Sequence, residues 1–244
     1  GKYTAREAAI IATGFSTVSA TFMVVVAKTL DLMEHWSLFF WVTLIVTFLV
    51  TAITARIYPL NKIKDEYAEG STPQPEKIVK KDRLKIAWTE AVEGAKSNPS
   101  LPKNLFIHLK EGFIMAMGVI PSILSIGLLG LVLATYTPLF DWIAYIFAPF
   151  TYLLQLPEPM LTAKAVSLSI AEMFLPAMLV TEAALITKFI VAVVSISAIL
   201  FFSAVIPVIL STEIPLSIRQ MIIIWFERVV LTLIIVTPIA FILF

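Results

Sequence analysis

Seven runs of mostly apolar residues follow one another along the chain, at 8–30, 36–57, 113–134, 142–156, 160–180, 183–210 and 219–244. One long stretch, 59–110, is polar. A helix needs about 20 apolar residues to cross a bilayer, a length that most of the runs reach and 142–156 does not. The pattern predicts an all-α, polytopic helical membrane protein with six or seven hydrophobic segments, some broken or re-entrant. It divides into a first membrane helix pair over 1–58, a loop over 59–110, and a second membrane bundle over 111–244.

Two of the runs are not simply apolar. The first carries Ser16, Thr17, Ser19, Thr21 and Lys28, and the fifth carries Lys164, Ser167, Ser169 and Glu172. Hydroxyls need partners inside hydrocarbon and a charge there is costly, so both segments are expected to face protein or a wet cavity. On one helix, Thr17, Thr21, Val24 and Lys28 would form a continuous stripe. Setting the first run over the fifth with an offset of 144 residues places Ala27-Lys28 on Ala171-Glu172. Broken helices of transporter repeats meet near the midplane, and neither charge is tolerable alone in lipid. Lys28 and Glu172 would then pair across a shared site; the alternatives are a coincidental offset and a Lys28 that snorkels to the outer surface beside Asp31. Those nine polar side chains are the candidate substrate-binding residues.

The other runs add less chemistry. Residues 36–56 are uncharged before Arg56 and are expected to face lipid over much of their surface. Gly118, Pro121, Gly127 and Gly130 in the third run suit close helix approach and a kink. Residues 142–156, rich in aromatics, suit an interfacial or re-entrant piece. Lys188 is expected to snorkel, and Glu227 and Arg228 to point in different directions or to sit at a boundary.

Charge sets orientation. The net charge of the 244 residues is only +1, which argues against nucleic acid as a partner. Eleven of the 18 Lys and Arg fall between Arg56 and Lys110, so loop 59–110 is expected in the cytoplasm, together with the N-terminus. Within it, Gly70, Pro73 and Pro75 break any helix, whereas 76–96 places Leu84, Trp88, Ala91 and Ala95 on one amphipathic face, for the membrane surface or for the bundle. With no cysteine and only His35 and His108 near predicted boundaries, no catalytic, metal or cofactor site is expected, and neither is an ATP-binding loop. Gly1 in place of Met suggests a processed chain or a fragment.

Three stretches carry a family resemblance: Gly14-Phe15-Ser16-Thr17-Val18-Ser19, Lys28-Thr29-Leu30-Asp31-Leu32 and Ala55-Arg56-Ile57-Tyr58-Pro59-Leu60. They resemble the YjiH-type membrane proteins of the nucleoside-recognition, or Gate, family, which also includes the spore maturation proteins. The resemblance implies gate-like half-helices in a bacterial inner membrane and a secondary transporter, or transporter gate subunit, for a small polar solute such as a nucleoside-like metabolite. It equally implies the alternative of a non-transporting scaffold. The implied partners are the lipid bilayer, the solute, and either a homo-oligomer or a second Gate-family membrane subunit.

Overall fold

In a computed structural model, which describes residues 3–67 and 82–244, the regular elements are helices throughout. In chain order they are α1 Ala5–Gly14, α2 Ala20–Thr29, α3 Trp36–Thr54, α4 Arg83–Ser97, α5 Leu101–Tyr136, α6 Leu139–Leu153, α7 Pro159–Leu168, α8 Leu175–Leu179, α9 Leu185–Ser197, α10 Val205–Leu210 and α11 Ile218–Leu243. Among the described residues, two stretches are long and apolar enough to cross a membrane, Met33–Thr54 and Ile218–Leu243. The other hydrophobic runs resolve differently from their sequence pattern. Run 8–30, where a broken polar segment was expected, is interrupted at 15–19, and runs 160–180 and 183–210, each expected as one segment, are interrupted at 169–174 and 198–204.

The core is a three-helix contact of α3, α9 and α11. Residues 189–197 of α9 are all buried, as expected of a helix apolar all round. The surface of α3 is two-sided. Thr43, Thr47, Thr51 and Thr54, spaced at i, i+4, i+8 and i+11, are buried, while Trp41, Ile45, Phe48 and Leu49 are exposed. That second face fits the lipid contact expected over much of the helix surface. α11 begins at a capping box in which Ser217 and Gln220 exchange bonds, as Thr4 and Glu7 do ahead of α1. α11 is continuous through Glu227 and Arg228, so these are not boundary residues: Arg228 is fully buried and Glu227 half-buried.

The ends of the bundle can be told apart by what meets there. At one end the Ala5 amide donates to Glu66 O, Arg6 reaches the Ala55 carbonyl, Thr4 bonds Asp65, and Arg56, Lys62 and Lys64 lie in or beside the turn after α3. At the other, the ring of Phe244 packs on His35 and Phe189, beside Asp31 and Glu34. α7 and α8 form a helical excursion that closes on itself, because the Glu158 carboxylate before α7 accepts from the Ala184 amide before α9 at 3.1 Å. α5 runs as one helix through Pro121 and touches the rest near its C-terminal end, where a Cβ on Gly130 would lie 3.0 Å from Ala171 and 3.1 Å from Leu175. α4 lies apart: Leu84 and Trp88 are 89% and 74% exposed, so its apolar face does not pack on the bundle. Gly70, Pro73, Pro75, Lys80, Lys81 and the expected start of that helix at 76 lie outside the described residues.

Candidate functional site

The three helix interruptions converge on one face of α11. Trp225, Arg228 and Thr232 are three and four residues apart, so they share that face. Arg228 Nε donates to the Ser197 carbonyl at 2.7 Å, Nη1 to Thr51 Oγ1 at 3.0 Å and Nη2 to the Gly14 carbonyl at 3.5 Å. Gly14 and Ser197 are the last residues of α1 and α9. A helix C-terminus carries about half a negative charge on carbonyls that lack an intrahelical partner. One guanidinium therefore caps two such ends, and no carboxylate pairs with it among the described residues. Thr51 Oγ1 also donates to Gly14 O at 3.2 Å, and Ser197 and Thr232 share a hydroxyl bond of 2.7 Å.

The remaining interruption is tied to the same helix. Trp225 Nε1 donates to Ser169 Oγ at 2.8 Å, just past the end of α7. Residues 169–174 then pair with 198–204 through Phe202 N–H to Ile170 O at 2.8 Å and Ser203 N–H to Ala171 O at 3.1 Å. That pairing gives unwound backbone the partners a helix would have supplied. Ile199 opens its linker at φ 63°, a left-handed conformation that a β-branched residue adopts only where its surroundings impose it. Glu172 Oε2 accepts from the Phe174 and Leu175 amides at 2.7 and 3.2 Å, closing the N-terminal end of α8. Several buried hydroxyls at this depth lack any hydrogen-bond partner among the described residues, including Thr17, Thr47, Ser195 and Ser203.

Two cavities lie along the α1 side of the bundle. One, of about 630 Å³, opens at the end of the bundle that carries Lys62 and Lys64. The other, of about 230 Å³, lies between α1 and α10 and reaches Ser16 and Ala204, one in each of two interruptions. Ile214 lines both, and the small side chains Ala8 and Ala12 of α1, with Ser16 just beyond it, line one or the other.

The nine residues singled out from the sequence fall into different surroundings. The stripe Thr17–Thr21–Val24–Lys28 does not form, because helical spacing is lost over 15–19; Ser16, Ser19, Thr21 and Lys28 are exposed and Thr17 is half-buried. Lys28 and Glu172 do not pair: Lys28 sits at the exposed end of α2, while the Glu172 carboxylate turns to the α8 amides. α1 and α7, each ten residues long and each followed by an interruption and a second helix, start and end 154 residues apart. Lys164 pairs with Asp141 at 2.6 Å, Ser167 Oγ donates to Lys164 O at 2.7 Å, and Ser169 receives Trp225. Arg228, Thr51, Ser197 and Trp225 form the centre without having been candidates. The legible signal was an arginine ten residues inside an apolar run.

Substituting Trp225 with Phe is expected to cost about 1–2 kcal/mol, from one buried hydrogen bond and some volume. The effect should be non-additive with Ser169→Ala in unfolding measurements; additive losses would show that the bond contributes nothing.

Across its whole length the chain is 35% identical, over 251 aligned positions, to an uncharacterized protein of Alkalihalophilus pseudofirmus. The match covers 53% of that protein, so the chain spans about half the length of the curated relative it matches. No protein-family model and no solved structure matches the chain.

Proposed function

We infer that the chain is a secondary transporter, or the gate part of one, for a small polar solute, embedded by several crossings in a bacterial cytoplasmic membrane. The observation that carries this is the meeting of three interrupted helices on one buried face of α11. Discontinuous helices with unwound backbone at one depth are how many transporters build a site and a hinge in one place. Irregular backbone at that depth is tolerated only where protein or a wet cavity covers it. The cavity end with Arg56, Lys62 and Lys64 would face the cytoplasm by the positive-inside rule. Two of the three interruptions, at Ser16 and Ala204, border the smaller cavity beside it. The resemblance to nucleoside-recognition proteins points to the same class of activity.

Purified protein in sealed vesicles should show saturable uptake of at least one labelled solute from a panel of nucleosides, amino acids and organic acids. Arg228→Lys, which keeps the charge and loses the fork, should lower that uptake. A folded protein that moves no solute, and co-purifies with a second membrane protein, would be the scaffold instead.

A further inference from the structure

The wider cavity has a charge pattern that selects its occupant. Four charged residues line it, Lys62 and Lys64 against Glu66 and Glu213. Lys64 and Glu66 lie 3.8 Å apart and satisfy each other. Lys62, in the turn after α3, and Glu213, in the linker before α11, hold no ion pair among the described residues. Two rings, Tyr3 and Tyr67, and the apolar side chains Ile214 and Pro215 complete the wall. A plain anion would suit Lys62 but meet Glu213, and a plain cation the reverse. A molecule with both charges satisfies both.

We propose that this cavity binds a zwitterion, an ammonium with a carboxylate or phosphate on an apolar body, the ammonium at Glu213 and the acid group at Lys62. That chemistry belongs to α-amino acids and to zwitterionic phospholipid headgroups. The assignment deepens the transport reading and rests on it only for direction, since Ile214 lines both this cavity and the one that reaches Ser16.

Equilibrium binding to the detergent-purified full chain tests it, with L-leucine, N-acetyl-L-leucine, L-leucinamide and phosphoethanolamine as probes. Leucine or phosphoethanolamine should bind, and the two singly charged leucine derivatives should bind at least about tenfold more weakly. Lys62→Gln and Glu213→Gln, both at exposed positions, should each weaken zwitterion binding about tenfold while leaving the unfolding temperature unchanged. Leucine binding identifies a free solute, and phosphoethanolamine binding alone identifies a lipid headgroup. Equal binding of a singly charged derivative, no binding of either zwitterion, or binding untouched by both substitutions overturns the assignment. Because the readout is binding, its failure leaves solute uptake in vesicles as a separate measurement of the transport reading.

Discussion

Replacing Arg228 with Met should remove about 3–5 kcal/mol of stability and abolish solute uptake. Two opposing effects set the figure. Burying a guanidinium without a carboxylate is costly, and its removal relieves that cost. Against this, the Ser197 and Gly14 carbonyls and the Thr51 hydroxyl all lose a charged donor. Each buried group left unpaired costs about 1–3 kcal/mol. The Ser197 carbonyl loses most, because it closes an interrupted helix and no further turn stands ready to bond it, whereas the Gly14 carbonyl keeps the Thr51 hydroxyl. The loss of pairing therefore outweighs the relief. Lys at this position should recover part of the difference, since an ammonium keeps the charge but cannot fork toward three acceptors. Reversible unfolding in mixed micelles measures the stability, and a Met variant as stable as the parent would show that Arg228 does not hold the two helix ends.

Much of the helix order was legible from apolar run lengths, because α3 and α11 are long and uninterrupted, and α11 starts at a local capping box. The interruption at 15–19 was half legible: Gly14 and the hydroxyl-bearing residues after it favour non-helical backbone. The one at 198–204 was not. Ala198-Ile199-Leu200-Phe201-Phe202 contains no Gly or Pro, and the helix stops there because Phe202 and Ser203 find backbone partners in another segment. That partnership is tertiary and leaves no local mark. The same limit explains the failed Lys28–Glu172 pairing, which assumed a continuous helix across a break. The threonine face of α3 did have a visible signal, hydroxyls at helical spacing in a run otherwise suited to lipid.

Gly14→Ala should destabilise the protein by about 1–3 kcal/mol, and Thr51→Ser should reverse that loss. A Cβ at position 14 would lie 2.5 Å from Thr51 Cγ2 and 3.2 Å from its Oγ1. Thr51 cannot turn away freely, because its hydroxyl donates to Gly14 O and accepts from Arg228. Rotating χ1 to move the methyl would break both bonds. Backbone entropy argues the other way: Ala in a helix is favoured over Gly by about 0.5–1 kcal/mol. Contact at 2.5 Å decides the sign while the methyl is present. Serine keeps the hydroxyl and removes the methyl, so in the Thr51→Ser background Gly14→Ala should become neutral or slightly stabilising. The double-mutant cycle thus has an expected coupling larger than about 1 kcal/mol. Additive losses, or a Gly14→Ala variant as stable as the parent, would show that α1 does not end against α3 at this contact. The grip of Arg228 on both would then need another explanation.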